Sequence, residues 1–341
     1  MSTQNKINFV YFIYKIRRKG VFVKKLVLFL LVLDFLYSKD NLTVFGASPP
    51  ATYFLYSINP KLIAGTNYAF KHKELLYLKE EMKSLPIIGG WYGQGKTPNF
   101  ETLIKVNPDL VITWNYNSSF KQVNDKLNNF GFKTFEVNLN TLKDYVKVYD
   151  EIGKVLFMED RTKLLSEYTK TKLEEIESLE KNIKEKKSVY YAEGSDGLLT
   201  ECDKSVHADL IEYIGAENPH KCSNKMGFGR DRISLEQLLL YNPDLIITQE
   251  ENFYKNIYKN EKLKDLKAVK NKEVYLIPSS PFSWFDRPPS FMKILGAQWL
   301  GNIVYKDIYS FNINSRVKEF YRLFLDVSLD DEEIINLLKG E

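Results

Sequence analysis

Histidine is scarce: the 341 residues contain only His72, His207 and His220. A hydrolase that pairs a nucleophile with a histidine base has little to build on, and no Gly-x-Ser-x-Gly accompanies them. A zinc or nickel site made wholly of protein ligands is poorly supplied for the same reason. His207 and His220 read as surface or capping residues, and no protein metal site is assigned. Cysteine is nearly absent too. Cys202 and Cys222 stand 20 positions apart, with no C-x-x-C and no metal-type spacing. In an exported chain such an isolated pair reads as one disulfide. The adjacent acids Glu250-Glu251 and Asp330-Asp331 carry no acid/base signature. No catalytic residue is assigned and no enzyme is expected.

An excess of one charge is missing from the body of the chain. Net charge is +4, but residues 1–38 hold seven basic side chains and one acid, Asp34. Setting that +6 aside leaves −2 on the rest, which gives no electrostatic case for nucleic acid. A membrane-spanning run is also lacking at the N-terminus. The basic cluster Arg17–Lys25 precedes LVLFLLVLDFLY, Leu26 to Tyr37. Twelve residues are too few to span a bilayer comfortably but suit the apolar part of a secretory signal. Residues 1–38 are therefore read as a signal peptide or N-terminal anchor, and the mature chain as periplasmic. No cysteine follows the run, so a lipid anchor is not expected.

What is present is a globular composition, 44% hydrophobic and 27% charged, with 22 Tyr and 22 Phe. The stretch Gly90-Trp-Tyr-Gly-Gln-Gly95-Lys96-Thr97 satisfies the phosphate-loop pattern G-x-x-x-x-G-K-[ST]. A phosphate loop needs a buried strand before it and a helix opening directly after it. Here Pro86 interrupts the preceding run, Trp91 and Tyr92 crowd the loop, and Pro98 forces extended geometry on Thr97. A glycine-rich turn rimmed by aromatics fits better. A nucleotide-binding enzyme using Lys96 and Thr97 is the remote alternative. A surface adhesion or scaffold protein is a third reading.

Two segments echo each other 135 residues apart: FETLIKVNPDLVIT, Phe100 to Thr113, and LEQLLLYNPDLIIT, Leu235 to Thr248. Eight of fourteen positions are identical, which suggests two similarly built lobes. Each reads as a short helix, a turn at Asn-Pro-Asp and a buried strand. The continuous apolar runs LVITW and LIIT fit parallel sheets covered on both faces. Strand, loop and helix recur at residues 42–58, at KLIAG, at 188–201 and at 273–286, so the class is α/β. Between the halves, residues 160–187 lack Gly and Pro and space their leucines and isoleucines helically, predicting one long helix.

Together these features resemble the helix-linked, cluster A (class III) family of periplasmic substrate-binding proteins, which serve ABC importers of ferric siderophores, haem and cobalamin. The resemblance covers about residues 40–305. It rests on the two NPDLhIT segments, on VYYAEGSDG and SVHADLIEYIGAEN, and on SPFSWFDRPPS. It implies two Rossmann-like α/β lobes with parallel sheets joined by one long helix, and a ligand cleft between them. The lobes would be 39–159 and 188–341, with the interlobe helix at 160–187. Ligands in such lobes bind beyond the carboxyl ends of strands. The first lobe would then offer Ser48, Pro49, Pro50, Trp91, Tyr92, Gln94, Lys96, Trp114 and Asn115. The second would offer Glu193, Ser195, Asp196, Met226, Arg230, Trp284, Phe285 and Arg287. Flat aromatic walls suit large ring-bearing chelates, and Arg or Lys suits anionic ones. The expected cargo is an iron chelate, a ferric siderophore or haem. A nickel chelate, cobalamin, molybdate or tungstate is the alternative. No resident cofactor is expected. Glu101 and Glu236, equivalent in the echo, would dock on the importer's permease, and the chain would act as a monomer.

Overall fold

The computed structural model describes residues 42–91, 97–116, 120–223 and 229–340. Every element named below lies in the compact unit Thr43–Glu341. The expected signal segment lies outside the described residues, as do Tyr92, Gln94, Lys96 and Met226. Among the described residues no helix is long and apolar enough to cross a membrane.

Two three-stranded parallel sheets carry the fold. The first has the order β1 (Val44–Gly46), β2 (Leu110–Trp114), β3 (Thr134–Val137). The second has the order β4 (Val189–Ala192), β7 (Leu245–Thr248), β8 (Val274–Leu276). Between β4 and β7 in sequence, β5 (Leu199–Thr200) and β6 (Asp231–Arg232) form a small antiparallel pair. The echo supplies the central strand of each sheet, β2 and β7. Both strands are almost wholly buried, as their continuous apolar sequences require.

The repeated sequence has a mechanical explanation. Helix α2 (Phe100–Val106) is capped by the Asn99 side chain, and α7 (Leu235–Tyr241) by Ser234. Each helix ends on an asparagine in the left-handed region, Asn107 at φ 48° and Asn242 at φ 39°, which asparagine tolerates better than most residues. The proline that follows cannot continue a helix. The aspartate then pins the start of the neighbouring strand. Asp109 accepts hydrogen bonds from the Thr43 N–H and hydroxyl, both at 2.9 Å. Asp244 accepts from the Ser188 N–H at 2.8 Å and from the Lys267 ammonium. Asn-Pro-Asp is thus a stop, a turn and a staple.

Helix α1 (Pro49–Ile58) follows β1, with prolines in its first two positions. Helices α3 (Phe120–Asn129) and α4 (Leu142–Leu156) complete the first half. The long helix α5 spans Glu159–Glu180 and stops seven residues before the expected Lys187. The chain turns after Lys181, where Ile183 and Glu180 pack against Gly215; a Cβ there would lie 2.6 Å from Ile183 Cδ1. KLIAG is a 3-10 turn, Pro60–Leu62, and a one-residue bridge from Ile63 to Val44 rather than a full strand. In the second half, α6 (Asp209–Tyr213), α7, α8 (Glu251–Asn256) and α9 (Lys293–Val304) flank the sheet.

Helix α10 (Ile313–Phe320) and the π turn Tyr321–Leu325, which precede a last helix at Asp331–Lys339, reach back to the first half. Arg161 of α5 donates to the carbonyls of Ser57, Ile58 and Leu323, joining three segments. Arg316–Glu175 and Lys172–Glu319 tie α10 to α5. The halves are therefore held by more than one helix.

Candidate functional site

Residues in the loops after β2, β4 and β8 meet: Tyr116, Glu193 and Asp286-Arg287 are linked through side-chain contacts. The densest chemistry there belongs to the second lobe. Glu193, directly after β4, is buried; its Oε1 accepts from Arg230 Nε at 2.9 Å and from Arg287 Nε at 2.5 Å. Arg287 also donates to Glu201, and Asp286 lies 3.5 Å from it. Glu201 and Asp286 are buried as well, whereas Arg230 and Arg287 are a third and a quarter exposed. Carboxylates taken out of water must be paired. Here they lie beneath two guanidiniums and fix the orientation of both. Arg287 has φ +57°, a strained conformation for a non-glycine residue and one often retained at functional sites.

A second feature joins the lobes. His207 Nδ1 lies 2.7 Å from Asp286 Oδ1, and its Nε2 lies 3.0 Å from the hydroxyl of Tyr116. Tyr116 follows β2 in the first lobe. Asp286 orients the imidazole, so that its other ring nitrogen faces the phenol of Tyr116. Burial, with Asp286 adding to it, pushes the Tyr116 phenol up. Nearby, the partly buried Asp209 pairs with buried Lys293 at 2.5 Å. Burial raises the Asp209 carboxyl despite that partner. Lys73–Glu251, at 3.3 Å, is a further contact between the lobes.

Several expected contact residues have other places. Trp284 and Phe285 are fully buried instead of forming an open wall. The reason is α9: a Cβ at Gly296 would lie 1.7 Å from the Trp284 carbonyl oxygen, so the loop packs directly on the helix backbone. Glu193 holds arginines rather than facing solvent. Trp114 is buried; its ring lies 4.4 Å from Tyr116 and its indole N–H donates to Asn140 at 3.2 Å. It backs the residue that reaches across. Asn115 turns aside to Glu136 at 2.6 Å. Asp196 pairs with Arg232 on an exposed edge and lines, with Ser195, a separate hollow of about 300 Å³. Trp91 is half-buried against Phe100, rings 5.8 Å apart. Pro49 and Pro50 are buried. Ser48, also buried, caps α1 without a side-chain bond.

The phosphate-loop reading fails on geometry. Thr97 does not open a helix: α2 starts at Phe100, capped by Asn99. The segment before the loop is a one-residue bridge at Ile87, not a strand. Gly89, at φ +93°, makes a turn that Asn67 ties to Gly46 through two carbonyl bonds.

His207, Tyr116 and Glu201 escaped the sequence reading. His207 read as a capping residue because nothing in the sequence places it beside Asp286, 79 positions away. The one available signal was its position in SVHADLIEYIGAEN, a segment that carries the resemblance. Cys202 and Cys222 are joined, with the sulfurs 2.06 Å apart, and Cys202 directly follows Glu201.

The family model for periplasmic binding proteins matches residues 92–281. The chain belongs to the periplasmic binding protein family. A curated relative, the high-affinity heme uptake system protein IsdE of Staphylococcus aureus, is 28% identical over 220 residues, 60% of this chain and 70% of that protein. A solved ABC transporter solute binding protein from Sulfurospirillum deleyianum is 37% identical, with a TM-score of 0.83 over 87% of this chain and 94% of its own. The molybdate periplasmic binding protein MolA of Haemophilus influenzae, 17% identical with a TM-score of 0.67 over 84% and 94%, shares the fold. Within this family the two sheets are the lobes, and the arginine cluster sits on the second.

Proposed function

We propose that this periplasmic binding protein captures an anionic iron chelate, a ferric siderophore or haem, and delivers it to an ABC importer. The carrying observation is the pair Arg230 and Arg287, held from below by buried carboxylates and partly open above. Planar guanidiniums fixed in this way suit the carboxylate or catecholate oxygens of a chelate. The heme system of the curated relative supports the same class. A bare oxyanion is less well served. Pro49 and Pro50 remove two of the N–H donors with which the start of α1 could hold one. The chelate is cargo, not a cofactor, and the chain acts as a binding protein rather than an enzyme.

In this reading the mature chain works outside the cytoplasm, with residues 1–38 directing export or anchoring it. The lobes are about 39–159 and 188–341, joined through α5. Because α10 also clasps α5 and the π turn after it meets α1 through Arg161, closure on ligand is modest. Tyr92, Gln94 and Lys96, outside the described residues, are read from the sequence as further ligand contacts. Glu101 and Glu236, both exposed and both second in their helices, engage cations of the importer.

Tryptophan fluorescence of the purified chain tests the ligand class, titrated with ferric siderophores, haem, cobalamin, nickel–histidine, molybdate and magnesium-ATP. Saturable quenching by an iron chelate is the expected result. A response confined to molybdate, nickel–histidine or ATP overturns it.

A further inference from the structure

We propose that the two lobes grip the importer unequally and that Leu240 makes the second-lobe end the tighter contact. This rests on the docking role proposed for Glu101 and Glu236. The two ends match at first. Each glutamate is the second residue of a seven-residue helix and is exposed. One turn on, each helix exposes an aliphatic side chain: Ile104 at 50% and Leu239 at 40%. A carboxylate beside an uncovered aliphatic, occurring twice at equivalent places, fits a partner that offers a cation beside an apolar hollow twice over. The extracytoplasmic face of a dimeric transmembrane importer has that repetition.

The next position breaks the match. On α2 it is Lys105, whose ammonium lies 2.7 Å from the Glu101 carboxylate. On α7 it is Leu240, 78% exposed and the most exposed large hydrophobic residue among those described. Glu101 must exchange one cation for another on docking, while Glu236 brings an apolar neighbour with it. Magnitudes decide which difference matters. An exposed ion pair one helical turn long is worth about twofold in affinity. Burying a leucine side chain is worth roughly tenfold or more. Leu240 therefore dominates, and Lys105 adds a smaller handicap to the first lobe.

The test is the binding of the full chain to its cognate importer in lipid nanodiscs, by biolayer interferometry without ligand. Reciprocal swaps isolate the claim, because both positions are exposed and an unchanged Tm verifies the fold. Leu240→Lys is expected to weaken binding about tenfold, and Lys105→Leu to tighten it severalfold. Glu101→Ala and Glu236→Ala are expected to weaken it, the latter more. If both glutamate variants bind weakly but neither swap changes affinity, the lobes are equivalent and the proposal is wrong while docking stands. If all four bind like wild type, the docking reading itself falls. If Leu240→Lys instead dissolves a homodimer seen by sedimentation and leaves importer binding intact, Leu240 belongs to a self-contact and the proposal is overturned.

Discussion

The two lobes share a frame and differ in what they mount on it. Both centre a parallel sheet on a strand that follows a short helix and Asn-Pro-Asp. Where the copies share Asn-Pro-Asp, the residues make structure: a left-handed asparagine, a helix-stopping proline and a strand staple. Where they diverge, the chemistry differs. Beyond its strands the first lobe carries proline, tryptophan and Tyr116. The second carries three buried carboxylates under two arginines, with a disulfide beside them. Apart from the glutamates proposed to dock the importer, agreement between the repeats marks scaffold, and the arginine site lies where they disagree.

The comparison can be broken first at the disulfide, which only the second lobe has. Reduction frees a 20-residue separation and is expected to cost about 3 kcal/mol. Hydrogen exchange should report the loss in β4, β5 and β7 and leave β1–β3 protected. Equal loss in both lobes would show that they unfold as one unit. Next comes the ligand. Arg287→Ala should weaken chelate binding about hundredfold, as loss of a charge-assisted contact does, whereas Trp91→Ala should cost about tenfold or less. Calorimetry checks the order, and a reversal would move the main anchor to the first lobe.

A smaller effect separates the two staples. Asp244→Ala should cost about 2 kcal/mol and Asp109→Ala about 1 kcal/mol, because only Asp244 also holds a lysine. Urea titrations measure both. The smallest effect is a pH dependence. Burial alone would raise the Asp244 carboxyl, but the bonds from Lys267 and the Ser188 N–H leave it below the usual range. A depressed carboxyl gives stability that is full above the unfolded value, about 3.9, and fades as pH falls through the folded one. Asp244→Asn should therefore flatten the acid limb of stability below about pH 4. An unchanged limb would assign the acid sensitivity elsewhere.

Much of the frame was readable in advance. Asn107 and Asn242 sit where their sequence places them, and β2 and β7 are strands because their apolar runs are continuous. The turn after Glu180 was not legible. It depends on Ile183 meeting Gly215, 32 positions away and on another element. The burial of Trp284 was not legible for the same kind of reason: Gly296 lets α9 pack against the backbone of its loop.

By itself the sequence determined the α/β class, the doubled unit and the family. These follow from local rules: hydrophobic period, helix stops and turn chemistry act over a few residues and leave a direct trace in the sequence. Only the tertiary structure decided which polar residues meet. Glu193 joins Arg287 across 94 positions, and Tyr116 reaches His207 across 91. Such pairs form because low dielectric penalises an unpaired buried charge, and which groups become buried together is set by how the lobes pack.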